Sequence, residues 1–536
     1  MEPSHSASRY GYYGLLLLVI VFFAALRWHM RNCPLERDEG EYAYAAQLML
    51  HGVAPYQSLY TMKLPGTFAG YALFFAIFGQ SIAGVHLGLL VINAATTLLI
   101  FLLGKRLFGP MAGIVSAASY ALLSTSPSVI GFAGHATHFV VLPAVAGVLV
   151  LSSAIERQRS WLYFSSGVLF GLAFLMKQPG ILFAVFGAVY LAYGEWQISS
   201  RNWRSLLTKE IVYAGGVALP FALTCIAMVA TGSFGKFWFW IFTYAREYAT
   251  TIGIGDGLDL LQMMLPKVVL PAFWIWVLAG VGLTAIAWNR VAHERRFFLV
   301  AFLFFSGLAV CPGLYFRQHY FVLVLPAAAL LAGVAVSGMS ERIRQRNPAT
   351  ALWLLPMAIF LAAFANALYL QREYLFAGNP LAACQTIYGS NPFAEAVEVA
   401  GYIKSHATPG ARIAVLGSEP EIFFYSGHPS ATGYIYTYGL MEPQPYALEM
   451  QKQMISEIEA AQPEYIVFVS VPESFGRLST SNPHIFNWMN YYLPAQYDIV
   501  GVADMVTPTM YVWGDEAKDY RPRSPSFLRV FKRKAF

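Results

Sequence analysis

The chain has 536 residues, of which 57% are hydrophobic, 16% aromatic and only 12% charged, with a mean hydropathy of +0.51. A soluble domain carries about 25% charged residues, so this composition excludes an ordinary water-soluble enzyme and requires lipid to solvate much of the surface. The net charge of +6 is unevenly placed: residues 1–370 carry +10, residues 371–520 carry −10, and the last sixteen residues carry +6.

Three charge compartments imply three units: a membrane module over 1–370, a second domain over 371–520 and a basic tail over 521–536. The first apolar run, 14–26, follows only Arg9 and lacks a small-x-small cleavage site before Arg27, so it reads as a retained span and not a signal peptide. A spanning helix needs about 20 mainly apolar residues. Eleven stretches qualify or nearly qualify: 11–29, 82–103, 111–126, 138–155, 161–176, 179–195, 211–230, 268–288, 297–311, 320–338 and 351–370.

The basic loops test that count. Lys105/Arg106, Arg157/Arg159, Arg201/Arg204/Lys209, Arg290/Arg295/Arg296 and Arg342/Arg344/Arg346 all fall on one side if eleven spans alternate. The positive-inside rule makes that side cytoplasmic. The excess of cations in this part therefore reports topology and not nucleic-acid binding. The opposite, outer side receives 30–81, 127–137, 177–178, 231–267, 312–319 and everything after about 371.

Beyond 371 the texture changes. Residues 393–406 have helical spacing, with Phe393, Ala396, Val397, Ala400 and Ile403 on one face, and Thr408-Pro409-Gly410 stops the helix. Strands are predicted at 412–416, 465–469, 497–502 and 510–513, with a second helix at 446–461. Alternating helices and strands predict a small α/β domain on the outer face. No nucleotide-binding, metalloprotease or CxxC motif occurs there, and no chemistry is assigned to it. The cationic tail, with Phe527, Leu528, Val530 and Phe531 among its charges, suits anionic headgroups or is disordered. Of four cysteines, Cys33 and Cys384 fall in segments read as extramembranous, so a bridge between them is open; no spacing marks a disulfide framework or a zinc site, and unpaired thiols are the expectation.

Carboxylates are scarce in the membrane part, yet Glu36, Asp38, Glu39 and Glu41 fall within six residues, interleaved with Arg37 and followed by a helical stretch beginning at Tyr42. Such a cluster at the outer membrane surface reads as a site: a carboxylate there acts as general base towards an acceptor hydroxyl or amine, or holds a divalent cation. The same connection continues through Tyr60 to Lys63, the one cation between Arg37 and Lys105. An ammonium before a membrane re-entry snorkels to headgroups or neutralises a phosphate leaving group. His135 and His138 are three apart in the next outer connection; substrate contact, metal ligation and interfacial packing stay open for them, as two histidines fall short of a metal site. Phe237-Trp238-Phe239-Trp240, Tyr244 and Tyr248 are read first as interfacial anchors and second as the floor of a sugar site.

Arg37-Asp38-Glu39, the Tyr42 helix, Gly52, Pro55 and Lys63-x-Pro65 together resemble the first external loop of the GT-C membrane glycosyltransferases, nearest the protein O-mannosyltransferase-like and lipid A aminoarabinose transferase branches. The stretch from Gly171 to Pro179 containing Met176-Lys177-Gln178, and Tyr315-Phe316-Arg317-Gln318-His319-Tyr320 ahead of Leu325-Pro326, resemble two further segments of that family. Thr408-Pro409-Gly410 and Gly417-Ser418-Glu419-Pro420 resemble the outer domain of bacterial members, and the likeness covers about residues 10–470.

The resemblance implies a GT-C fold and an inverting transfer of a sugar from a polyprenyl-phosphate carrier to a lipid, glycan or protein acceptor at the outer face of the bacterial inner membrane. It places Asp38 as the aspartate that orients or deprotonates the acceptor, with Glu39 supporting it. Lys63 matches the lysine that contacts the lipid phosphate, and Arg317 and His319 complete a phosphate clamp. Arg37, Glu41, Tyr42, Tyr60, His135, His138 and Lys177 are the further candidate substrate contacts. No cofactor is implied with certainty beyond an optional divalent cation. The rival readings are a transporter or flippase of lipid-linked saccharides and a catalytically inactive scaffold; a transporter places ionisable groups near mid-bilayer, whereas here they cluster at one face.

Overall fold

A computed structural model describes residues 5–198 and 202–535. Its first part is a bundle of apolar helices: α1 (His5–His29), α2 (Arg37–Leu50), α3 (Pro65–Phe78), α4 (Ile82–Phe108), α5 (Pro110–Thr125), α6 (Ala136–Arg157), α7 (Ser160–Met176), α8 (Ile181–Ile198) and α9 (Trp203–Ala230), followed by helices Ile254–Val269, Phe273–Trp288, Arg296–Leu308, Leu325–Arg346 and Leu355–Leu370. Each of the eleven predicted spans coincides with one of these helices. By length and composition, seven segments among the described residues are able to cross a membrane alone: Gly11–His29, Ile82–Phe108, Ala136–Arg157, Gln178–Ile198, Trp203–Ala230, Ile254–Trp288 and Ala351–Leu370. Leu18, Ile211, Ile226, Phe304 and Leu361 are each more than half exposed on this bundle. Apolar surface of that extent is stable only in lipid. The chain is a multi-pass membrane protein.

Local chemistry accounts for the helix ends. Ser81 caps α4 by accepting from Gly84 N. Gly109, at φ +93°, turns the chain so that Pro110 opens α5, and the reversal is short because Pro needs no hydrogen bond at that position. The connection 30–81, expected as an outer loop with one helix, holds two. The second, α3, is apolar but only 14 residues long, too short to span. Periodicity alone cannot separate such a run from loop or core.

The C-terminal part is a five-stranded mixed sheet of β1 (Ile413–Leu416), β2 (Tyr465–Ser470), β3 (Tyr497–Asp504), β4 (Met510–Trp513) and β5 (Phe527–Arg533), in the order β1-β2-β5-β3-β4. Only β1 and β2 pair in parallel. Helices Phe393–His406 and Ala447–Ala461 lie where the sequence predicts them. The basic stretch expected as a headgroup-binding or disordered tail is instead the middle strand: β5 pairs with β2 on one side and β3 on the other. Leu528 and Val530 are fully buried, while Arg529, Lys532 and Arg533 are partly exposed, the period-2 pattern of a half-buried strand.

The two parts share a core. Tyr44 of α2 packs on Phe423 and Phe75 of α3 stacks on Phe424, with centroids 5.2 and 5.3 Å apart. Gly40 makes the approach possible: a Cβ there would lie 2.6 Å from Glu421 N and 2.7 Å from Glu421 Cβ. Gly40→Val should therefore cost about 1–3 kcal/mol through overpacking. The expected signs are a lower Tm and faster proteolysis of the C-terminal part; an unchanged Tm would show that α2 does not hold the sheet this closely.

Candidate active site

The six segments assigned to the outer side line one cavity of about 220 Å³ at the junction of the bundle and the sheet. Its wall takes Asp38, Glu41, Tyr42, Tyr60 and Lys63 from the α1–α4 connection, Ala136 from the start of α6 and Lys177 from the α7–α8 break. Trp240, Tyr244 and Tyr248, then Arg317 and His319, and finally Tyr434, Tyr436, Tyr438 and Glu442 complete it. These segments therefore share one side of the bundle, as the loop charges required.

The acidic cluster begins α2. Glu36 is its N-cap, accepting from Glu39 N at 3.0 Å, and Glu39 Oε2 accepts from Glu36 N at 3.1 Å. This reciprocal box satisfies two helix-end donors, and the positive end of the helix dipole favours the acids clustered there. Asp38 projects into the cavity. Lys63 Nζ donates to its Oδ1 at 2.6 Å and also meets Glu41 Oε2 at 2.5 Å, while Tyr436 Oη donates to Oδ1 at 3.2 Å. His135 Nδ1 and His319 Nε2 lie 3.7 and 3.9 Å from Asp38 Oδ2.

Burial alone would raise the Asp38 pKa, but the Lys63 ammonium leads the opposing charges and holds the carboxyl well below the usual range. The same pairing, working against burial, holds Lys63 well above the usual lysine range. Burial pushes Glu41 up against the pull of Lys63, and pushes Glu36 up to about 7. Asp38 is thus a fixed anion and a weak base.

Two cations face the cavity without such partners. Among the described residues, neither Lys177 nor Arg317 has a carboxylate within 4.0 Å; they rest on the rings of Tyr320 and Tyr315, at 4.2 and 5.4 Å. Burial pushes the Lys177 pKa down to about 7. Burial, His135 and Lys177 together hold His319 well below the usual histidine range, which keeps its ring neutral.

Asp38, His135 and His319 each offer a ligand atom, all within 4.8 Å of one another. The His135 and His319 rings stack at 4.0 Å, and among the described residues both buried ring nitrogens of His135 find no hydrogen-bond partner. A buried donor set of two imidazoles and one carboxylate suits a divalent transition metal.

Several sequence-predicted residues take other roles. Arg37, expected to touch substrate, points away from the cavity into the joint with the sheet, donating to Ser418 O at 2.5 Å and to Glu419 Oε1 at 2.9 Å. Its charge is spent on Glu419, whose other oxygen accepts from Ser474 Oγ at 2.6 Å. Glu39, expected among the catalytic acids, is buried behind the site. Its Oε1 accepts from Gly134 N at 2.6 Å and lies 3.1 Å from His86 Nε2, so it positions the segment carrying His135. His138 is fully buried in α6 and does not line the cavity; the partner of His135 is His319, so the expected histidine pair is not formed. Tyr60 lines the cavity while its hydroxyl donates to Glu457 Oε1 at 2.9 Å. In the aromatic stretch, Trp240 and Tyr244 of the π-helix Phe239–Tyr244 face the cavity, whereas Trp238, at the end of the helix before it, is 47% exposed.

Two further features support the site. Arg27, buried at the end of α1, donates to Gly131 O at 2.7 Å and Ser124 O at 3.0 Å, bracing the segment that ends in His135. Tyr434, Tyr436 and Tyr438 come from the C-terminal part, where no sequence motif points to chemistry; their period-2 spacing is the one signal they carry.

Residues 64–229 match the family described as dolichyl-phosphate-mannose-protein mannosyltransferase. A curated relative, the undecaprenyl phosphate-alpha-4-amino-4-deoxy-L-arabinose arabinosyl transferase of Pseudomonas aeruginosa (strain UCBPP-PA14), is 30% identical over 354 residues, covering 62% of this chain and 61% of its own length. The corresponding transferase 2 of Pseudomonas fluorescens (strain Pf0-1) is 29% identical over 357 residues, covering 62% and 61%. The chain thus matches about three fifths of the length of these relatives. Among solved structures, ArnT from Cupriavidus metallidurans bound to undecaprenyl phosphate aligns over 97% of this chain and 98% of its own, with a TM-score of 0.60 and 16% identity. The archaeal oligosaccharyltransferase AglB from Archaeoglobus fulgidus, in complex with an inhibitory peptide and a dolichol-phosphate, aligns over 97% and 76%, with a TM-score of 0.52 and 12% identity. With an apolar helical bundle, a C-terminal sheet and a cavity at their junction, the chain shares the GT-C fold of these solved structures.

Proposed function

We propose that this chain is an inverting glycosyltransferase that moves a sugar from a polyprenyl-phosphate carrier to an acceptor at the extracytoplasmic face of the bacterial inner membrane, with the C-terminal part on that face. The observation that carries the reading is the pairing of a fixed anion, Asp38, with two uncompensated cations, Lys177 and Arg317, across one cavity. The names of the curated relatives and the undecaprenyl phosphate bound to ArnT support it.

The donor phosphate would sit against Arg317 and Lys177, whose charge absorbs the negative charge that develops as the sugar–phosphate bond breaks. A phosphate ester leaving group then needs no acid catalyst. Arg317 presents a planar fork suited to two phosphate oxygens. Asp38 would accept a hydrogen bond from the acceptor nucleophile and aim its lone pair at the anomeric carbon, opposite the phosphate. Its low pKa makes orientation its contribution; the proton that the nucleophile loses as it bonds to the anomeric carbon would pass by way of water to the departing phosphate, whose second ionisation lies at about 6. Lys63 is committed to Asp38 and Glu41 and would hold that carboxylate in place. Trp240, Tyr244 and the three tyrosines 434, 436 and 438 would supply flat apolar faces and hydroxyls to the sugar.

Asp38→Asn should lower the rate of transfer from a polyprenyl-phosphate sugar in proteoliposomes about 10²-fold or more, the cost of a misplaced nucleophile. Undiminished transfer would overturn the role of Asp38, and failure to consume any donor with any acceptor would favour a transporter.

Donor binding should depend on pH through Lys177. Its ammonium is present below about 7 and lost above, so affinity for undecaprenyl phosphate should fall between pH 6 and 8.5. Lys177→Arg should hold the affinity at pH 8.5, and Lys177→Met should flatten the profile at the weak end. A wild-type profile without slope would remove Lys177 from the phosphate site.

Asp38, His135 and His319 favour one further feature of the same reading, a bound divalent transition metal. An Archaeoglobus fulgidus oligosaccharyltransferase has been crystallised in complex with zinc and sulfate. Elemental analysis of the purified protein should find about one such ion per chain, and His319→Ala should lose it. A metal-free wild type prepared without chelators would exclude it.

A further inference from the structure

Cys33 lies in the turn between α1 and α2, three residues before Glu36, and Cys384 lies in helix Pro380–Tyr388 on the way into the sheet. Far apart in sequence, they are both buried, 4% and 2% exposed, in one small cluster with Phe393 and Tyr388. In a cluster of only these four side chains the two cysteines are neighbours, and each thiol perturbs the other, Cys33 downward and Cys384 upward. Among the described residues, no grouping of three or more histidine, cysteine or acidic ligand atoms includes either sulfur, so the pair is not a metal centre. The other two cysteines, Cys225 in α9 and Cys311 after helix Arg296–Leu308, are only partly buried and belong to neither this cluster nor each other. The two cysteines in segments read as extramembranous are therefore the two that meet.

The position has mechanical meaning. Phe393 of the same cluster lies under the Arg37 guanidinium, 5.3 Å from its centre, and Arg37 carries the joint to Glu419. Arg31 O, two residues before Cys33, holds His86, whose other nitrogen lies 3.1 Å from Glu39. A covalent tie here would anchor the entry to α2, and hence Glu36 and Asp38, directly to the C-terminal part.

We propose that Cys33 and Cys384 form a disulfide in the mature protein, closing the joint between the bundle and the sheet beside the acidic cluster. The proposal rests on the placement of the C-terminal part in an oxidising extracytoplasmic compartment. The bond forms by exchange: one cysteine thiolate attacks a protein disulfide of the thiol oxidant class, and the second displaces the oxidant from the mixed disulfide. The oxidant's S–S bond breaks, the Cys33–Cys384 bond forms, and the two protons lost here appear on the oxidant's two thiols. Because both sulfurs are buried in the folded chain, the exchange precedes final packing of this joint. Closing so long a loop constrains the unfolded chain strongly.

The test is peptide mapping of the full-length protein, taken from membranes quenched with N-ethylmaleimide under denaturing conditions. Cys33 and Cys384 should be recovered as one linked peptide pair that separates on reduction, with Cys225 and Cys311 alkylated throughout. In Cys33→Ser, Cys384 should become fully alkylated, and the reverse in Cys384→Ser; the wild-type map stands whether or not these variants fold. A parallel arm places a reporter at an exposed position, Ser479→Cys, and labels intact cells permeabilised only at the outer membrane with a membrane-impermeant maleimide. If Ser479→Cys labels while wild-type Cys33 and Cys384 are both alkylated without reduction, the disulfide is overturned and the topology stands. If Ser479→Cys is unreachable from outside, the topology falls and takes the disulfide's compartment with it.

Discussion

Four carboxylates at one helix end, withdrawn from bulk water, set the terms for the rest of this molecule. Glu36, Glu39 and Glu41 are buried, and the Asp38 side chain is only 13% exposed. Unpaired, charges so placed would each cost several kcal/mol. Each acid instead has a donor: Glu36 the amide of Glu39, Glu39 that of Gly134, and Asp38 and Glu41 the shared ammonium of Lys63. Satisfying one end of α2 thereby ties the α3 approach, the α5–α6 connection and the C-terminal tyrosines to one point. The cavity is the space those ties enclose.

The same constraint divides the cations by function. Lys63 and Arg37 sit against carboxylates at 2.5–2.9 Å and are structural charges. Lys177 and Arg317 rest on aromatic rings, which stabilise a cation without neutralising it, and have no carboxylate partner among the described residues. Burial then makes Lys177 responsive near neutral pH, while the guanidinium of Arg317 stays charged. The proposed phosphate site thus pairs one titrating and one permanent cation, a difference that follows from how each is packed.

The C-terminal sheet completes the site. Tyr436 reaches Asp38 Oδ1 at 3.2 Å, and Arg37 returns the contact to Glu419. The close approach at Gly40 and the stacked Phe75–Phe424 pair make this joint a packed core continuous with α2 and α3. Displacing the sheet would therefore open the cavity and remove a hydrogen bond from Asp38 together.

What the sequence determined by itself was the placement of helices and of charge. Lipid requires long unbroken apolar runs, and basic residues gather at one side, so the eleven runs and the acidic cluster at Asp38 were legible from one-dimensional pattern. Short-range period also carried helices Phe393–His406 and Ala447–Ala461 and strands β1 and β2. The fate of each charge was decided only by tertiary structure. Arg37 and Asp38 are adjacent in sequence, yet a helix turns neighbouring side chains about 100° apart, sending one to the sheet and the other to the cavity. His319 replaces His138 beside His135 because α6 buries His138 a turn further in. Strand β5 takes its cations into the middle of a sheet because Leu528 and Val530 have a core to enter, a fact no charge count contains. Local pattern reports which residues are costly to bury; which partner meets that cost is a long-range fact.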